Sequence, residues 1–173
     1  MPEKLDSPAH PIAEALVGYG GEDAPLPQYA ALVAVFGTLA TALLAAENSR
    51  AAPPTRLSFG DFILLGVATH KLSRLISKDR VTSPFRAPFA KFVESAGAGE
   101  VEEEARGRGM QKAIGELVTC PFCVSPWAAL ALTSGLMIAP RATRLLCGLL
   151  SSVALSHFLH HAYIALEEQK EQS

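Results

Sequence analysis

Residues 117–140, LVTCPFCVSPWAALALTSGLMIAP, carry no formally charged side chain from Leu117 to Pro140. About 20 apolar residues take a helix across the hydrocarbon core of a bilayer, so this stretch is long enough to span. Pro121 and Pro126 fall in its first turns, where a helix tolerates them best. Two other runs share the property. Ala24 to Ala46 is free of charge and contains AALVAVFGTLATALLAA, while Leu145 to Leu166, LLCGLLSSVALSHFLHHAYIAL, holds three histidines and no formal charge. The composition agrees: 49% of the 173 residues are apolar, 18% are charged, and the mean hydropathy is +0.23, against about 25% charged residues in ordinary soluble domains. A net charge of -2 supplies no basic field for a phosphate backbone, so nucleic acid is not an expected partner.

The stretch 57–76 is harder to read, because Asp61, Lys71 and Arg74 interrupt it. It is either a polar-edged span buried against the other three or an amphipathic helix lying in the interface. Charge favours the span. The long loop 77–116 holds Lys78, Arg80, Arg86, Lys91, Arg106, Arg108 and Lys112, whereas the connections 47–56 and 140–144 hold two arginines each. The positive-inside rule makes the loop cytoplasmic. With four spans, both termini lie on that side too.

The expected architecture is therefore all-α: an integral bundle of four transmembrane helices, three if 57–76 lies in the interface, in the plasma membrane. The spans are about 28–46, 57–76, 117–139 and 142–166, forming one membrane domain over 28–167 with a structured cytoplasmic loop at 77–116. Tails occupy 1–27 and 168–173. The N-terminus is polar and broken by Pro and Gly, without the apolar core of a cleavable signal, and only IAEALVGY in it reads as a short helix. Within the loop, Pro84 and Pro88 hold off a helix until about PFAKFVE. After the break at SAGAGE, VEEEARGRGMQKAIGELV reads as a helix leading into the third span.

The pairing of THKLSRLISKDRVTSPFRAPF with GELVTCPFCVSPW, joined by an acidic-then-basic loop and followed by an apolar hairpin, resembles a family of small bacterial membrane proteins known as domain of unknown function thirteen-sixty. The resemblance covers roughly residues 58–163. It implies membrane placement and marks those motifs, and it brings no reaction with it.

Cys120-Pro121-Phe122-Cys123 is the loudest chemical feature. Two cysteines three apart share one face of a helical turn, and a helix N-terminus lowers a thiol pKa. The pair could cycle as a dithiol, although the βαβ setting of thioredoxin-like sites is missing. It also has the spacing of half a zinc site. If the last hairpin turns near Arg141, Cys123 and His157 lie about 25 Å from the turn at a rise of about 1.5 Å per residue, and His157 and His161 form an i, i+4 pair. Cys120, Cys123, His157 and His161 then stand as a candidate metal set. Cys147 lies nearer the outer face and reads as a packing thiol. Against both sharp readings stands the plain one, in which the cysteines are buried packing residues at a helix start.

Two more constellations stand out. Asp61, His70, Lys71 and Arg74 sit on the second span, where Lys71 and Arg74 can reach the cytoplasmic headgroups and His70 is deep enough to need a partner. Asp79, Arg80 and Arg86 sit in a Pro-framed turn, either as an anion site or as an ion pair that fastens the loop. No nucleophile elbow, zincin run, phosphate loop or dinucleotide fingerprint is present.

No enzyme activity is assigned on this reading. The leading function is a non-enzymatic assembly or partner-binding module in the lipid bilayer, and the rival is a thiol oxidoreductase or zinc-binding protein built on Cys120 and Cys123. A second copy or another membrane protein is the expected partner, with Ala30, Ala34, Gly37 and Thr41 spaced for close helix contact.

Overall fold

Ser58 opens the helix on which the rest is assembled. Its hydroxyl accepts from the Asp61 amide, and the Asp61 carboxylate accepts in return from the Ser58 amide, a capping box that satisfies two otherwise orphaned donors. The computed structural model describes residues 25–50 and 57–171. Most of the expected N-terminal tail with IAEALVGY, the stretch 51–56 and the last two residues of the C-terminal tail lie outside the described residues.

In chain order the elements are helix α1 (Leu26–Asn48), helix α2 (Phe59–Ser77), a 3-10 turn (Arg80–Thr82), a short helix α3 (Ser83–Arg86), strands β1 (Ala90–Gly97) and β2 (Glu100–Ala105), and helices α4 (Met110–Thr119), α5 (Pro121–Ile138) and α6 (Pro140–Glu171). The protein is mostly helical, and three of its helices, Leu26–Asn48, Pro121–Ile138 and Pro140–Lys170, are long and apolar enough to cross a membrane. With its three charges, α2 is not among them.

Even so, α2 occupies the centre. It packs along both α5 and α6, and its Ala68 is fully buried in a cluster with Leu132, Cys147 and Leu150. An ion pair and a hydrogen bond bring one set of ends together, since Arg144 donates to Asp61 at 2.8 Å and Arg50 donates to the Met137 carbonyl at 3.1 Å. α5 and α6 are joined through Ala139 alone and approach closely near their turn, where a β-carbon on Gly135 would come within 2.7 Å of Thr143 Oγ1. By contrast α1 has no buried residue. It is held by a Tyr29 hydroxyl donating to Glu116 and by an edge-on contact of Phe36 with Trp127, ring centroids 5.3 Å apart.

The third span differs from the expectation of one helix over 117–139. Pro121 has no amide hydrogen and forces the residue before it out of helical conformation. Cys120 is accordingly extended (φ -107°, ψ 108°), ending α4 and capping α5. Pro126 falls inside α5, and the Phe122 carbonyl it would have bonded accepts instead from the Ser125 hydroxyl at 2.9 Å.

The all-α expectation also needs correction, because the loop contains an antiparallel hairpin where helices were expected from PFAKFVE and from the first residues of VEEEARGRGMQKAIGELV, whose second half is the expected helix, α4. β1 and β2 pair Ala90 with Ala105, Lys91 with Glu104 and Phe92 with Glu103 before bulges shift the register. The link Ala98-Gly99 takes φ of +48° and +80°, the positive values that a two-residue type I′ hairpin turn requires. The strand is also tied to the chain after α2, through Arg80 donating to the Gly99 carbonyl and Val101 to the Lys78 carbonyl, both at 2.9 Å.

Every carboxylate on β2 then meets a cation. Arg74 pairs with Glu100 at 2.5 Å, Lys78 with Glu102 at 2.7 Å, Lys91 with Glu104 at 2.8 Å, and Arg86 with Glu103. The last pair is buried, the two side chains being 2% and 5% exposed. The Arg86 side chain makes five donations: Nε to Glu103, Nη1 to the Ile76 carbonyl and Thr82 Oγ1, and Nη2 to the Asp79 carbonyl and Ser83 Oγ. Guanidinium has five N–H donors, so none is left unmade.

Two substitutions test this cap of turn, hairpin and α4. Arg86→Met strands the buried Glu103 carboxylate and should cost about 3–5 kcal/mol, part of which Arg86→Met with Glu103→Leu should return in a thermal unfolding scan. In Gly115→Ala the new methyl overlaps the Phe89 carbonyl and presses on Ala105, for a loss of about 1–3 kcal/mol.

Candidate functional site

Two clefts flank α2 and α5, and they divide between them the residues that the sequence marks. The larger, about 940 Å³, runs between α2, α6 and the hairpin tip. It is lined by His70, Lys71, Arg74 and Asp79, by His157 and His161, and by Gly97 to Glu100, with Val67, Ala154 and Phe158 among its apolar contributors. Its geometry follows from helix register. α2 and α6 run parallel, and the Ser151 hydroxyl donates to the Leu64 carbonyl across an offset of 87 residues. Beyond that contact His70 and Arg74 of α2 and His157 and His161 of α6 follow in the same order toward the cap, and all four line the cleft.

Charges in this cleft are organised. Lys71, 4% exposed, reaches Asp79 at 3.3 Å and does not extend to headgroups as the sequence suggested. Arg74 holds Glu100 through Nε and Nη2. His70 is exposed on the cleft wall instead of buried against a partner.

The smaller cleft, about 470 Å³, lies between α1, α4 and α5 and is lined by Tyr29, Leu32, Val33, Phe36, Glu116, Cys123 and Trp127 among others. Cys120 Sγ accepts from the Cys123 amide at 3.3 Å, so it serves as the cap of α5. Cys123 is exposed, and Cys147 is buried in the helical core, as expected for a packing thiol.

The four candidate metal ligands are therefore not brought together. Cys123 faces the α1 side and His157 and His161 face the α2 side, and among the described residues no three of His, Cys, Asp and Glu gather as a metal ion requires. Equal distance from the turn between α5 and α6 brings side chains together only where they also share a face. In the structure α2 packs against both, and the two sets point into different clefts. All three cysteines are free thiols.

The turn motif is an internal fastening. Asp79 pairs with Lys71 and with neither arginine, Arg86 is buried on Glu103, and Arg80 donates to the Ser95 hydroxyl. What the sequence reading missed is Glu100 and Glu103, whose partners lie across a hairpin it did not foresee. The four carboxylates in Glu-Val-Glu-Glu-Glu, set against Arg74, Lys78, Arg86 and Lys91, were the available signal.

The family described as protein of unknown function (DUF1360) matches residues 64–163, well over half of the chain, and the chain belongs to it. Among its relatives is the sporulation protein YjcA of Bacillus subtilis, 32% identical over 97 residues that make up 54% of this chain and 82% of that protein. UPF0713 protein YngL of the same organism is 32% identical over 87 residues, 50% of this chain and 65% of the relative. No solved structure matches. The matched stretch begins within α2 and takes in the cap, the cysteines and the three α6 histidines, and α1 lies outside it.

The thiols should report this arrangement directly. A small maleimide should modify Cys123 in the folded protein and reach Cys147 only on unfolding. Equal protection of the two would show that α1 seals the smaller cleft.

Proposed function

We propose that the chain is a four-span protein of the plasma membrane, with both termini and the cap on the cytoplasmic side, that works as a non-enzymatic module for binding a membrane partner. The observation that carries this reading is the composition of the cap surface. Its β2 carboxylates are spent on internal pairs, while Val81, Phe85, Phe92 and Val93 stand exposed on it. A prefolded scaffold presenting apolar side chains beside spent charges suits partner recognition.

The fourth span rests on packing. α2 runs beside both α5 and α6 with its first turn tied to Arg144 and its last turns tied to the cap. A helix of 19 residues is about 28 Å long at 1.5 Å per residue, close to the thickness of the hydrocarbon core. The charges that lower its hydropathy are each paired, Asp61 with Arg144, Lys71 with Asp79 and Arg74 with Glu100. Lys and Arg concentrated in 77–116 support a cytoplasmic cap. The thiol reading draws on Cys120 and Cys123 sharing one helix turn, but on the cytoplasmic side thiols are kept reduced.

Two experiments test the proposal. Cysteines placed one at a time at Ser49, Glu94 and Ala139, in a chain with Cys120 and Cys123 replaced by Ser and the buried Cys147 kept, should be labelled from outside at 49 and 139 and from the cytoplasm at 94. Labelling of 49 and 94 from one side removes α2 as a span. A photo-crosslinker at Phe85 or Phe92 should give one discrete adduct in cells that survives Cys120→Ser with Cys123→Ser and disappears with Arg86→Met. The opposite pattern would favour the thiol reading.

A further inference from the structure

The larger cleft has a polarity gradient along the helix axes. Val67 and Ala154 line the end toward the middle of the bundle, His70 and His157 come next, and Arg74 and His161 lie a turn nearer the cap, beside Gly97 to Glu100. One helical turn is about 5 Å, so the change from aliphatic to polar lining takes place within about two turns. Phe158 and Leu155, both exposed, extend the apolar side onto the surface of α6.

The polar end carries two carboxylates, each engaged with a cation, and donors beyond those pairs. Asp79 and Glu100 are committed to Lys71 and Arg74, and Arg74 keeps Nη1 after spending Nε and Nη2. His70, His157 and His161 have no side-chain hydrogen bond or ion pair among the described residues. Three imidazoles and one guanidinium edge around an open volume suit a phosphate, whose oxygens accept several charge-assisted bonds at once. The aliphatic end would repel a free polar ion and suit a hydrocarbon chain.

We propose that this cleft holds an anionic phospholipid of the inner leaflet, its phosphate against Arg74, His157 and His161 and its acyl chains directed past Val67, Ala154 and Phe158. This rests on the four-span reading, which places the cap end of the cleft at the cytoplasmic edge of the bilayer. The lipid is then a ligand of the cap as well as its solvent. It joins α2 and α6 at the end of the bundle where, unlike at Asp61 and Arg144, no direct ion pair links them among the described residues.

The test uses the full chain in nanodiscs of phosphatidylcholine containing one fifth phosphatidylglycerol, extracted gently into detergent, with retained lipid counted by native mass spectrometry. The expected result is one phosphatidylglycerol per chain, retained in preference to phosphatidylcholine. His157→Gln with His161→Gln should weaken retention about tenfold, the loss of charge-assisted bonds worth roughly 1.4 kcal/mol, whereas Lys91→Gln, at an exposed hairpin position outside the cleft, should leave it unchanged. Equal retention of the two lipids, or an unaltered histidine variant, overturns the proposal. Displacement of the lipid by millimolar glycerol 3-phosphate also overturns it, by showing that the site takes a free phosphate compound. Loss of lipid specificity with the Ser49 and Glu94 labelling intact defeats this inference alone, and same-side labelling defeats the span reading whatever lipid is retained.

Discussion

The buried guanidinium of Arg86 is the constraint on which the cap of turn, hairpin and α4 depends. It needs no solvent to receive its five N–H donors, because five acceptors from three separate pieces of chain surround it: the end of α2, the turn through Asp79 to Ser83, and Glu103 of β2. Removing a charge pair from water is expensive, and it is tolerated only when the geometry satisfies both ions. That requirement works in both directions. The pair forms only if the hairpin, the 3-10 turn and the helix end are already in register, so the energy that could have gone into a simple apolar contact is given over to one arrangement of the loop.

From that arrangement the cleft follows. The hairpin is held over the end of α2 by the bridge between Asp79 and Glu100, and its glycine-containing tip thereby forms the third wall of the cleft that α2 and α6 line. Arg74 contributes on both counts: with two of its nitrogens it fixes the hairpin through Glu100, and with the third it is free to meet a ligand. The cap and the cleft are thus one mechanical unit, and a change in one is felt in the other.

The long apolar runs were legible in the sequence because hydration is a cost paid residue by residue, and a charge-free stretch of sufficient length has few other uses. The hairpin was not legible. Its strands pair charged and exposed side chains, so the period of two that marks a half-buried strand is blurred: seven of the eight β1 positions are exposed. The decisive turn places a non-glycine residue, Ala98, at positive φ, which residue type alone does not announce. The proposed metal set failed for a different reason. Residue counting along two helices fixes depth and says nothing of azimuth, and the packing of α2 against both α5 and α6 turned the cysteines and histidines into separate clefts. Asp79 and Arg86, read as possible partners of each other in the turn, instead pair outside it, with Lys71 of α2 and Glu103 of β2.

The contacts also divide the chain into a core and an attachment. α2, α5 and α6 share buried residues around Ala68 and Cys147, and the cap is bonded into that unit through backbone as well as side chains. α1 shares none of this, and its exposed Val33, Val35, Leu39 and Leu44 have no partner within the core. In water such a helix would be a liability. In a bilayer it costs nothing, because hydrocarbon solvates those side chains as well as a protein interior would, and helix association there rests on packing and polar contacts. The Tyr29 to Glu116 bond supplies one such contact at the cap end of α1, and Phe36 against Trp127 supplies another further along. Two contacts fix an orientation while leaving most of the helix surface to lipid or to a second protein. The family match, beginning within α2 and omitting α1, follows the same division.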